Sequence, residues 1–119
     1  MTHILKATEI PSAGNKPKII KEIIGKVNSN TDEVSIARMK SPSGWIEPPQ
    51  TPEFNEYTIV LKGTIHIREE GNETIVRTNE AFIAKKGIEI QYSTPEPDGA
   101  EYIAVCVPAF SIDKVHRKE

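Results

Sequence analysis

The residues best able to do chemistry lie between Trp45 and Tyr92. Glu47, Glu53 and Glu56 bring three carboxylates close together, set among Pro48, Pro49 and Pro52. In water they form a solvated rim, and grouped at one opening they favour cationic or polyhydroxyl ligands. A carboxyl drawn into an apolar site has its pKa raised and becomes a candidate acid or base. Trp45, the single tryptophan, either stacks on a ligand or buries in a core. His3, His66 and His116 are scattered, and no Cys/His zinc pattern is present. The one cysteine, Cys106, sits in the apolar run Ile103-Ala104-Val105-Cys106-Val107 and reads as a buried core thiol.

The elements that must position these groups read as short strands. Glu56 to Lys62 alternates, with Glu56, Thr58 and Val60 on one side and Tyr57, Ile59 and Leu61 on the other. Gly63 is expected to end that strand, and Thr64 to Glu69 to return. Glu70-Gly71-Asn72 reads as a hairpin turn. Further strands are expected over Glu33–Met39, Glu73–Arg77, Ala81–Ala84, Glu89–Ser93 and Tyr102–Val107, with one helical turn near Ser111–Val115. Pro48, Pro49 and Pro52 make an extended loop. Ile19, Ile20, Ile23, Ile24 and Val27 fit a helical stripe or a twisted strand, so 17–27 stays open between the two. Many short strands with regular turns predict an all-β sandwich or barrel.

One spacing is more specific. Gly44 is followed by five residues and Gln50, one and Pro52, three and Glu56, six and Gly63. This resembles the first cupin motif, with Gln50 and Pro52 where that family has its two histidines. The run Glu56-Tyr57-Thr58-Ile59-Val60-Leu61-Lys62-Gly63-Thr64-Ile65-His66-Ile67 resembles the cupin hairpin. At the second motif Asn79, Lys85, Gly87, Ile90 and Thr94 occupy the family positions, and only Gly87 matches. Ile90 stands where a third histidine would be.

The resemblance implies a double-stranded β-helix, or jelly-roll barrel, with an irregular N-terminal segment and a short C-terminal turn of helix. It implies a single domain over 1–119, with an arm over 1–30 that contacts a second copy and a barrel over 33–107. It puts Glu56 and Tyr92 inside the barrel, with Gln50 on the loop before them and Trp45 and Glu47 on the lip. No cofactor is expected, because the histidine cage is missing. A divalent metal on Gln50 and Glu56 is the alternative, and two such ligands do not normally hold one.

Three functions follow. One is a barrel that binds a small polar molecule through Gln50, Glu56, Tyr92, Trp45 and Glu47. Another is an isomerase, epimerase or lyase with Glu56 and Tyr92 as acid–base groups, which resembles cupins of the sugar-epimerase and ethanolamine-utilisation types in working without the full histidine set. A structural partner with a plugged pocket is a third. The 119 residues, net charge of -2 and absence of a basic run exclude the footprint of a nucleic-acid binder. No stretch approaches a membrane span or a signal sequence. A homodimer in the cytoplasm is the expected setting.

Overall fold

The computed structural model describes residues 3–118, so the outer limits of the expected 1–119 domain fall outside the described residues. Nine strands and one helical turn follow in order. They are β1 (Thr8–Ile10), β2 (Ile19–Ile24), β3 (Ser35–Ser41), β4 (Trp45–Ile46) and β5 (Asn55–Glu69). Then come β6 (Asn72–Arg77), β7 (Ala81–Ala84), β8 (Ile90–Thr94), β9 (Ala100–Val107) and α1 (Ile112–Val115). All pairings are antiparallel. The all-β class read from the sequence is the one that forms.

β5 holds the barrel together. Its first half pairs with β9 and β7, its second half with β6 and β8. One sheet therefore runs β1-β2-β3-β9-β5-β7, the other β4-β8-β5-β6. Gly63 was expected to end this strand; instead the strand bends there and continues. The pairing register slips between Val60 and Lys62, and Gly63 has φ +76°. A Cβ at Gly63 would lie 2.1 Å from the Gly99 carbonyl oxygen. Only glycine allows both the turn and that approach.

Segment 17–27 resolves as strand β2 followed by a turn. β3 offers it a paired edge, and its β-branched residues suit a pleated surface. The turn is held by the buried Glu22, whose carboxylate accepts from the Val27 and Asn28 amides at 2.9 and 2.7 Å. The N-terminal segment expected to be irregular thus carries β1 and β2. They extend the first sheet, so the shell begins before residue 33.

The core lies between the sheets: Val60, Ile65, Ile67, Val76, Ile90 and Tyr102 are among its buried members. Burying a side chain of this size contributes about 1.5–3 kcal/mol. A smaller cluster of Phe54, Cys106 and Val115 closes one end, with Phe110 edge-on to Phe54. After α1 the chain runs back along the proline loop. The Glu53 amide donates to Lys114 O at 2.9 Å, and the Lys118 amide to Pro49 O at 2.7 Å.

Candidate functional site

A cavity of about 60 Å³ lies inside the shell. It has room for several waters or one small organic molecule. Strand alternation decides which side chains reach it. From β5 it is Glu56, from β8 Tyr92, from β9 Tyr102, Ala104 and Cys106, and from β3 Ser35, Ala37 and Met39. Glu47 and Gln50 enter from the proline loop. Of the residues expected at the site, Gln50, Glu56, Tyr92 and Glu47 thus come together.

Trp45 is placed differently. It is 1% exposed, belongs to the core cluster and is not among the cavity walls. Its indole N–H donates to Ala13 O at 2.9 Å, and the Lys18 ammonium sits 4.1 Å from its ring centre. A cation over an indole face is held by the ring quadrupole. Trp45 therefore supports Lys18. Glu53, the outermost of the three grouped carboxylates, is exposed and paired with His116. Glu47 is buried, at 6% exposure, so it is no solvated rim.

The sequence reading missed both cations of the cavity. Lys18 donates to the Tyr102 hydroxyl at 3.1 Å and contacts Met39 Sδ at 3.6 Å. The Tyr102 hydroxyl in turn shares a hydrogen bond with Ser41 Oγ at 2.8 Å. Lys18, Ile20 and Glu22 all line the cavity, which is the period-two pattern of a strand. Leaving 17–27 open between helix and strand hid this signal. Arg117 reaches the wall because residue 117 bridges Gln50 in an antiparallel contact. No local pattern near Arg117 announces that.

Burial sets the electrostatics. The Glu47 carboxyl is pushed up to about 7, first by desolvation; Lys18 and Arg117 pull it down, and Glu56 pushes it further up. Glu56 is also raised by desolvation, opposed by Lys18 and by hydrogen bonds from Thr58 at 3.3 Å and Cys106 at 3.9 Å. The Cys106 thiol is raised well above its ordinary value, by burial and then by Glu56. The Tyr92 phenol is raised likewise, by burial and then by Glu56 and Glu47. Near neutrality the cavity thus holds an acid able to gain or lose a proton, near the Lys18 and Arg117 side chains.

Tyr92 carries the most informative atom. It is buried, its ring packs 5.7 Å from that of Phe82, and its hydroxyl has no partner among the described residues. Buried hydroxyls are normally satisfied, and this orphan belongs to a residue of the cavity wall.

A metal of the cupin kind does not fit this donor set. Gln50 and Glu56 reach the cavity, while Pro52 and Ile90 are not among its walls. At the family's ligand positions one amide and one carboxylate remain, beside two cations, and they are a poor site for a divalent transition metal. Among the described residues no group of three or more His, Cys, Asp or Glu is placed to hold an ion. Nor is any described helix long and apolar enough to cross a membrane.

No family model matches the chain. Among characterised proteins it is 37% identical over 99 residues to the endoribonuclease YbeY of Myxococcus xanthus, covering 83% of this chain and 34% of that one. It is 32% identical over 56 residues to the acetate kinase EutQ of Salmonella typhimurium, covering 47% and 24%. The chain thus spans about a third or less of the length of these relatives. Its fold superposes on the polyketide cyclase RemF of Streptomyces resistomycificus with a TM-score of 0.76 at 18% identity, covering 100% and 86%. A predicted oxalate decarboxylase of Thermotoga maritima gives 0.72 at 16%, covering 87% and 93%. An ethanolamine utilization protein EutQ of Salmonella typhimurium gives 0.68 at 16%, covering 91% and 100%. This chain has the same jelly-roll barrel fold as these neighbours, the cupin-type shell that the Gly44-to-Gly63 spacing resembles.

Proposed function

We propose that the barrel binds a small polar molecule in its cavity without the three-histidine metal site. The reading rests on one observation, the buried hydroxyl of the cavity-lining Tyr92, which has no partner among the described residues. Gln50, Glu47 and Glu56 supply further polar contacts around the same space. The experiment is a screen of small polar metabolites by ligand-observed NMR on wild type and Tyr92→Phe. Hits that weaken in the variant support the reading, and a screen with no difference between the two proteins refutes it.

A second reading is favoured by the raised Glu56 carboxyl. Glu56 and Tyr92 then act as acid–base groups of an isomerase, epimerase or lyase. Equal turnover by wild type and Glu56→Gln across a substrate panel removes Glu56 from that chemistry. The endoribonuclease and acetate kinase activities belong to relatives at least about three times this chain's matched length, and neither is the reading favoured for this cavity.

The working form in this proposal is a cytoplasmic homodimer. Its support is the outer face of the larger sheet. Register aligns Ile36, Val105, Tyr57 and Ile83 in one row across four strands. Tyr57 and Ile59 are 41% and 44% exposed there. A row of this kind on a monomer's surface suits a second copy.

A further inference from the structure

Most of the cavity wall is held from both sides. β2, β3, β5, β8 and β9 supply the majority of its side chains, and each of these strands pairs with a neighbour on either side. One part of the wall is built otherwise. Phe110 and Arg117 also line the cavity, and both belong to the chain after β9. The Phe110 ring meets Phe54 edge-on at 5.8 Å, and the Arg117 guanidinium lies 5.7 Å from the centre of the Phe110 ring.

This segment passes from one sheet to the other. At its start the Ala109 amide donates to Asp32 O at 3.0 Å, and the Phe110 amide to Ser35 Oγ at 2.9 Å on the larger sheet. At its far end it lies against the proline loop, where Gln50 bridges both Arg117 and Ile90 of the smaller sheet. Residues 111–118 therefore cross between the sheets at one end of the cavity.

The crossing is lightly held. The Thr51 and Glu53 amides donate to His116 O and Lys114 O at 3.2 and 2.9 Å, and the Lys118 amide to Pro49 O at 2.7 Å. Pro49 and Pro52 have no N–H to add. Among the described residues no strand lies along the other side of the segment. Val115 is the one buried residue of 111–118. The ion pairs of His116 with Glu53, and of Lys118 with Glu89 at 2.7 Å, are exposed and contribute little. Few buried contacts and exposed backbone bonds place a segment at the low end of local stability.

We propose that residues 111–118 form a strap that lifts off the cavity and recloses while the barrel stays folded, giving small solutes their way in. Its hinge is the pair Ala109 and Phe110, pinned to the larger sheet and its preceding loop, with Ala109 fully buried. Access by this route is independent of what the cavity binds.

Cys106 reports on the strap. It is the chain's one cysteine, lines the cavity, and clusters with Val115 and Phe54. Its alkylation by iodoacetamide is followed by intact mass in native buffer and in urea below the unfolding transition. The wild-type rate is expected to stay level over that range. It is also expected to exceed, at least about tenfold, the rate that the globally unfolded fraction alone would give. Val115→Ala is expected to raise the native rate at least about tenfold further, because the lost methyl groups hold only the closed strap. Val76→Ala, in β6 and off the cavity wall, should lower global stability and leave the native rate within about twofold. Should Val115→Ala fail to fold, Lys118→Pro replaces it. That change deletes one amide at an exposed position, with about a fivefold acceleration expected. A rate that climbs with the unfolded fraction, or that rises equally in Val115→Ala and Val76→Ala, overturns the strap. A level rate that neither strap variant raises puts the opening elsewhere and overturns it as well.

Discussion

Gln50 and Arg117 face each other across an antiparallel bridge, so the segment after α1 forms part of the cavity wall. The amide of Gln50 also donates to Ile90 O at 2.9 Å. One loop residue thus joins the smaller sheet to the C-terminal strand of backbone. Val115, buried beside Phe54 and Cys106, anchors that tail. Val115→Ala is expected to cost about 2 kcal/mol by removing buried methyl groups. Urea titration measures the loss, and an unchanged midpoint would show that the tail is not anchored there.

Acidity should stabilise the fold. Glu47 has an ordinary value of 4.5 and is raised to about 7. Between these limits the native state holds a proton that the unfolded state has released. The stabilising effect is complete below pH 4.5 and is lost as the pH rises through 7. The span corresponds to roughly 3 kcal/mol as an upper bound. Raised Glu56 adds in the same direction. Glu47→Gln should flatten the midpoint-against-pH curve between 5 and 7, roughly the window those two values define.

Gly63→Ala should be among the most damaging single-methyl changes. The added carbon would stand 2.1 Å from the Gly99 oxygen, at φ +76°. Backbone on both sides leaves nothing flexible to move aside. A loss of about 2–4 kcal/mol is expected, measured by denaturant titration.

Cys106 should be slow to react. Its thiol is buried and raised well above its usual value, chiefly by desolvation. Alkylation by iodoacetamide at pH 8 is expected to be at least about tenfold slower than in urea-unfolded protein. Comparable rates in the two states would place the thiol at the surface.

The outer row predicts an oligomer-specific variant. Ile59 is exposed in the single chain, so Ile59→Lys should change its stability by no more than about 0.5 kcal/mol. If the proposed homodimer uses this face, sedimentation should shift from dimer to monomer. A dimer that persists in Ile59→Lys would move the contact elsewhere.

Much of the barrel was legible because it repeats simple rules. The Glu56-to-Val60 alternation put the right faces in and out, and turn residues marked most strand ends. Gly63 misled because a glycine that ends a strand and one that bends it look alike locally. Its role depends on Gly99, distant in sequence and pressed against it. The acidic and phenolic part of the cavity wall was legible through the family spacing and strand parity. The basic side was not. Lys18 required knowing that β2 is a strand, and Arg117 required knowing where the tail returns. Trp45 was ambiguous in sequence because an indole serves equally as a platform or as core; the ammonium above its ring resolves the matter.

The two cations come from opposite ends of the described chain, while Glu47 and Glu56 come from its middle. Lys18 precedes β2, and Arg117 follows α1. Anything that pulls on either flank, such as a fused neighbour or a bound protein, would withdraw positive charge and leave the acids in place. The charge balance of the cavity wall would then change from outside, with no rearrangement of its sheets.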